Sequence, residues 1–238
     1  MSNSETAQTA EAKAIQQMTV ELRGHLDAIE AAHNLIGKVL SRPECPLDQT
    51  PHSLIVATNL LIRLTNDLRC IAILTERGYP LQALAIGSGT YGTAFTIAYV
   101  DADEDLACAW GMHDDPTRPF RDAWTLTREG QAKLGNPNPD AAAELDYRAY
   151  RQLCWAKHIN PVLQMQHGFQ IVEQSVVAQN GPDLSEPGTR AAWWVLDRAV
   201  RLAYLALASF VNSHIPEEQR GSIVREVESL AIRRLEFR

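Results

Sequence analysis

Apolar residues recur at threes and fours along most of the chain, a spacing that predicts helices nearly throughout. Leu22, Leu26, Ile29, Ala32, Ile36 and Val39 give one long helix over about 5–40, which Arg42-Pro43-Glu44-Cys45-Pro46 ends, since proline cannot continue a helix. Thr50-Pro51 reads as an N-cap followed by proline at the first helical position. Leu54, Ala57, Leu61, Leu64, Leu68, Ile71 and Thr75 then form a heptad-like seam that closes at Gly78. The next helix, about 80–100, has a small-residue stripe of Ala85, Gly89, Gly92 and Thr96 beside the bulkier Leu84, Tyr91, Phe95 and Ala98. It is the natural partner of the seam. Shorter helices are expected over 103–113 and 118–134. After the turn Asn136-Pro137-Asn138-Pro139, a helix opens at Pro139 and Asp140. The segment from about 160 to 188 is irregular, a short ribbon or an ordered loop. Helices return over about 189–213 and 217–235. The expected fold is an all-α multi-helix bundle, one helical domain over 1–238, with 1–45 as a peripheral N-terminal helix in the alternative arrangement.

Composition narrows the function classes. The net charge of −7 argues against a general nucleic-acid coat, because phosphate binding rests on Lys and Arg contacts; a local basic site remains open. Cys45, Cys70, Cys108 and Cys154 include no C-x-x-C pair, so buried free thiols in a reducing compartment are expected. The N-terminus is polar, without a basic stretch leading into an apolar run. A cytoplasmic location is therefore expected. Residues 79–100 lack any charge and are long enough to span a bilayer. Their Gln, Ser, Thr and Gly content gives only modest hydrophobicity, and a helix buried on all sides explains it without a membrane.

The stretch that can carry chemistry is Tyr150-Arg151-Gln152-Leu153-Cys154-Trp155-Ala156-Lys157-His158-Ile159-Asn160-Pro161. Advancing about 100° per residue, Arg151, Trp155, His158 and Tyr147 fall on one side of the helix, while Ala142, Ala149, Leu153 and Ala156 fall opposite. The latter side is the core face. Tyr147, Cys154 and Trp155 mixed with arginine are more typical of an interface or a lined cleft than of a solvated face. Asn160 precedes a proline, which puts His158 in the last turn, at the negative end of the helix dipole.

Two resemblances attach to these residues. Residues from about 54 to 168 resemble a bacterial all-helical family without an assigned function. The matching parts are Leu60–Tyr79, the Ala/Thr-rich helix ending Ala98-Tyr99-Val100, and Tyr150-Arg151-x-Leu153-Cys154-x3-His158-x-Asn160-Pro161. Where that family commonly has arginine and glutamate in its second helix, this chain has Ser88 and Gly92. The Arg151-x6-His158 pair is also similar to the Arg/His motif of HEPN ribonucleases, at the wide limit of its spacing. That resemblance implies a composite, metal-independent RNA-cleaving site shared by two protomers. Arg151 would hold the scissile phosphate and His158 would act as acid and base. Lys157 and Asn160 would assist, Tyr147 and Trp155 would line the site, and no cofactor is implied. The competing expectation is a structural or regulatory interaction module, with a protein partner, in which Arg151 and His158 hold an interface together. An Arg151 locked against Glu144 would favour that second reading.

Other groups point to less. Gly87-Ser88-Gly89-Thr90-Tyr91-Gly92 lacks the Lys-Ser/Thr of a phosphate loop. His113-Asp114-Asp115 reads as acids in a turn, and His158 with His167 as an improbable metal pair. Trp193-Trp194 is read as core plus interface, and Ser88 and Ser175 lack a nucleophile context.

Overall fold

The computed structural model describes residues 6–41, 46, 49–115, 117–158, 160–172, 175–178 and 181–236. The helix expected over 5–40 is two helices, α1 (Ala7–Glu21) and α2 (Arg23–Leu40), broken at Leu22 with φ −105° and ψ 6°. Leu22 is buried, so the break turns the chain without leaving the core. It lets α1 lie on the following helix α3 (His52–Glu76), where Glu11 accepts from Arg77 Nη1 at 3.1 Å and from the Tyr79 hydroxyl at 2.9 Å. Thr50 does not cap α3. Its hydroxyl donates to the Pro46 carbonyl at 2.9 Å instead. The cap comes from Glu104, at the start of α5 (Glu104–Gly111), whose carboxylate accepts from the His52 and Ser53 amides at 2.8 and 3.1 Å. A carboxylate there also meets the positive end of the α3 dipole.

The α3 seam is buried at Ala57, Leu61, Leu64, Leu68, Ile71 and Thr75, and it packs on α4 (Pro80–Val100). α4 is the hub: it also meets α6 (Ala123–Lys133), α7 (Pro139–Lys157) and α9 (Glu186–His214). Its hydroxyls turn back on their own helix. Ser88 donates to Ala85 O at 2.8 Å, Thr90 to Ile86 O and Thr93 to Gly89 O at 3.1 Å, and Thr96 to Gly92 O at 2.8 Å. The expected small stripe is displaced. Nothing lies within 4 Å of a Cβ at Gly92, whereas a Cβ at Gly87 would stand 2.9 Å from Leu153 Cδ2 and 3.4 Å from Val195 Cγ2. The close backbone approach is thus at Gly87, against α7 and α9. No helix among the described residues is long and apolar enough to cross a membrane.

The region expected to be irregular begins with an unforeseen helix, α8 (Pro161–Gly168), and continues as an antiparallel ribbon of β1 (Phe169–Val172) and β2 (Ser175–Ala178). Its register pairs Phe169 with Ala178 and Val172 with Ser175. Asn160 starts α8 by accepting from the Val162 amide at 2.9 Å, with Pro161 in the first turn. The last helix, α10 (Glu217–Glu236), packs on α9 and α2. One apolar core reaches from Met18 to Leu230.

The turn between α3 and α4 holds the chain segment that precedes α9. Gly78 has φ +79°, its carbonyl accepts from the Asp183 amide at 2.7 Å, and a Cβ there would stand 2.7 Å from Pro182 Cβ. Gly78→Ala is therefore expected to lose about 2 kcal/mol, from the left-handed backbone and the contact with Pro182. Urea unfolding checks this; a midpoint unchanged from wild type would contradict the packing described.

Candidate functional site

Asn138 opens α7 by accepting from the Ala141 amide at 3.2 Å, with Pro139 in the first turn. The helix buries Ala143, Asp146, Ala149 and Leu153; of the expected core face Ala149 and Leu153 are buried and Ala142 and Ala156 only partly so, and the face is rotated to take in Ala143 and Asp146. Arg151 and His158 are both exposed. Glu144 pairs with Arg148 at 3.6 Å rather than with Arg151, and Arg151 has no ion-pair partner among the described residues. Trp155, 47% exposed, stands four residues after Arg151 and three before His158, which makes it a surface neighbour of both. The three side chains form one stripe.

The remaining predicted residues have other engagements. Tyr147 is half-buried, its ring edge-on to Trp124 of α6 at 5.5 Å and tilted against Tyr150 at 5.8 Å. Asn160 is committed as the α8 cap. Lys157 is exposed in the last turn of α7. The thiols of Cys70, Cys108 and Cys154 are free, but Cys70 is exposed and the other two only half-buried, against the expected burial. Cys154 lies against Tyr150, whose hydroxyl is pushed up to about 12 by burial and by that neighbouring thiol. Tyr150 stacks on Tyr91 of α4 at 4.8 Å, so α7 is tied to the hub on the side away from Arg151.

Beside the stripe the structure holds a feature that periodicity does not reveal. α7, α8 and α9 line a solvent-open cavity of about 520 Å³ whose walls include Gln152, Trp155, Leu163, His167, Ala191 and Trp194. His167, in the last turn of α8, is bonded through Nδ1 to Asp183 Oδ2 at 2.6 Å. The other carboxylate oxygen accepts from the Ser185 hydroxyl at 2.5 Å and the Ser185 amide at 3.1 Å. Ser185 in turn caps α9, accepting from the Gly188 amide at 3.2 Å. A Cβ on Gly188 would lie 2.5 Å from Asp183 Cγ, so glycine there is what allows the carboxylate to sit against the helix start.

In sequence, Asp183-Leu184-Ser185-Glu186-Pro187-Gly188 carries the signal of a helix start, a serine cap with proline in the first turn. It marks α9 as beginning at Glu186 rather than near 189. Nothing in the spacing places His167 beside Asp183, because the β1–β2 ribbon lies between them. Among the described residues no three His, Cys, Asp or Glu side chains converge as a metal site. His113 instead pairs through Nε2 with the Arg118 carbonyl at 2.9 Å.

The chain matches no protein-family model, no curated protein and no solved structure, so the two resemblances drawn from its motifs have no match behind them.

Proposed function

We propose that the Arg151–Trp155–His158 stripe of α7 is a metal-independent site for RNA phosphodiester cleavage, completed by a second copy of the chain. The observation that carries the reading is the exposed, unlocked arginine: Glu144, the carboxylate on its own helix that would neutralise it, is held by Arg148. The chemistry follows from side-chain type. Trp155 offers a flat face for a base to stack on. Arg151 supplies several donors to the charge that develops on phosphorus. His158 takes the proton from the ribose 2′-OH, whose oxygen bonds to phosphorus while the bond to the 5′ oxygen breaks. The leaving 5′ oxygen takes a proton from water, and the products are a 2′,3′-cyclic phosphate and a 5′-hydroxyl. Arg151 and His158 are two turns apart, about 10.5 Å along the helix axis. A second α7 brings the histidine of one protomer towards the arginine of the other. In an acidic chain this implies steep salt dependence, the local cations being Arg148, Arg151 and Lys157.

A second reading has its own observation. Leu145, Val162 and Met165, exposed at 65%, 58% and 63%, lie on α7 and α8 with Trp155, as on a surface that a protein partner or another copy covers. One experiment separates the two. A mixed RNA pool is incubated with wild type, Arg151→Ala and His158→Ala, with and without EDTA, while sedimentation follows oligomeric state. The expected result is cleavage that EDTA leaves intact and that falls by about 100-fold or more in each variant, with assembly unchanged. Wild-type protein that leaves RNA whole sinks the enzymatic reading. Variants that fall apart as oligomers assign the stripe to an interface.

A further inference from the structure

We infer that the cavity between α7, α8 and α9 binds a small, uncharged heteroaromatic molecule that donates a ring N–H to His167. The inference shares Trp155 with the RNA reading but does not rest on it, since neither Arg151 nor His158 is among the residues that wall the cavity. Its volume of about 520 Å³ falls in the range of cavities that hold small organic ligands.

The walls choose the chemistry. Trp155 and Trp194 supply aromatic surface and Leu84 and Leu163 aliphatic surface, which favours a flat ring. The charged wall residues, Glu186 and Arg190, neutralise each other at 2.5 Å with side chains 81% and 76% exposed. They stand in solvent at the rim, so the interior offers no net charge to hold an ion. Gln152 and Gln166 are exposed and stand at the mouth, and the one buried polar side chain of the wall is the His167 imidazole.

The imidazole fixes the polarity of the bond. The His167 and Asp183 side chains are only 5% and 6% exposed. A carboxylate accepts and does not donate, so Asp183 keeps the ring proton on Nδ1. With Nδ1 so bonded, the neutral form of the ring presents one further polar atom, the Nε2 lone pair, and Asp183 is the sole hydrogen-bond partner of His167 among the described residues. A ring N–H from the ligand matches that acceptor, and the two glutamine amides, each both donor and acceptor, can meet groups flanking it. The loop that positions Asp183 is held at both ends, by the Gly78 carbonyl and by the close fit to Gly188. The acceptor is therefore set before a ligand arrives.

The test uses two probes of nearly equal shape, benzimidazole and 1-methylbenzimidazole, titrated by calorimetry and by tryptophan fluorescence. Wild type is expected to bind benzimidazole saturably and the methylated ring at least tenfold more weakly. In His167→Asn the side-chain amide keeps a donor for Asp183 and withdraws the acceptor from the cavity, so the two probes should bind alike. Ala191→Phe fills the cavity from its wall and should abolish binding of both; circular dichroism confirms that each variant is folded. Should His167→Asn unfold, the probe pair on wild type and Ala191→Phe still decide the matter. Arg151→Ala and His158→Ala should bind benzimidazole as wild type does, so loss of the RNA reading would leave this one intact. Equal binding of the two probes by wild type, no saturable binding, or full binding by Ala191→Phe would each overturn the inference.

Discussion

Asp146→Ala should lower the free energy of unfolding by about 3 to 5 kcal/mol, seen as a lower urea midpoint at unchanged slope. Asp146 lies on the core side of α7 at 4% exposure. It accepts from Arg201 Nε at 2.7 Å and Nη2 at 2.8 Å in a two-pronged pair, and from Gln131 Nε2 at 2.7 Å. This one carboxylate therefore ties α6, α7 and α9 together around α4. Burial alone would make the Arg201 guanidinium easier to deprotonate; the hydrogen bond and charge of Asp146, with smaller contributions from Asp197 and Tyr91, more than offset it, so the group ends above its ordinary value. Alanine removes the offset and leaves the burial. Because the Arg201 side chain is 28% exposed, it can recover some hydration, which places the loss towards the lower figure. Replacing both partners with apolar residues, Asp146→Leu with Arg201→Met, should recover most of the stability, since a buried pair contributes much less than breaking it costs. A loss below about 1 kcal/mol in the single variant would mean that water already reaches the pair.

Phe95→Ala should cost a similar amount, about 3 to 5 kcal/mol. Phe95 is fully buried in the C-terminal half of α4, its ring 4.7 Å from that of Tyr91. α6 crosses it at Gly130, where a Cβ would stand 3.3 Å from Phe95 Cδ1 and 3.2 Å from Ala98 Cβ. This yields a sharper test than the single loss. In wild type Gly130→Ala meets those atoms, which consume the advantage of about 1 kcal/mol that alanine has over glycine in a helix. With Phe95 truncated only the Ala98 contact remains close, so the same change should be more favourable than in wild type. A double-mutant cycle measures the coupling, and strict additivity would show that the α4–α6 contact is looser than described.

The helices were legible because burial on one side imposes a period that survives in the sequence. The exposure of Arg151 and His158 could be read from the same wheel. The break at Leu22 could not, because Leu22 continues the apolar stripe and the bend comes from packing α1 on α3. Nor could the choice of Gly87 over Gly89 and Gly92 as the contact glycine, which depends on how far α4 is rotated against α7 and α9. Asp146 defeats a polar-outside rule because its partner lies on α9, remote in sequence. Tyr147 sits on the predicted side of α7 yet turns its ring towards Trp124. The His167–Asp183 pair joins the end of α8 to a loop across the ribbon, and a ribbon and a loop leave no period to find.

α4 makes almost no polar demand on the helices around it, since its serine and threonines bond to their own backbone. The exceptions among the described residues are Tyr91, whose buried hydroxyl pairs with that of Thr127 on α6, and Tyr99, whose hydroxyl accepts from Arg121 Nε at 3.2 Å and whose ring lies under Lys133 of α6. The azimuth of the hub helix is thus selected by shape, by glycine surfaces at 87 and 130, and by these two hydroxyls. Rotating α4 by one residue would take the Tyr91 hydroxyl away from Thr127 and the Tyr99 hydroxyl away from Arg121, so two phenols act as the keys that index the hub against its neighbours.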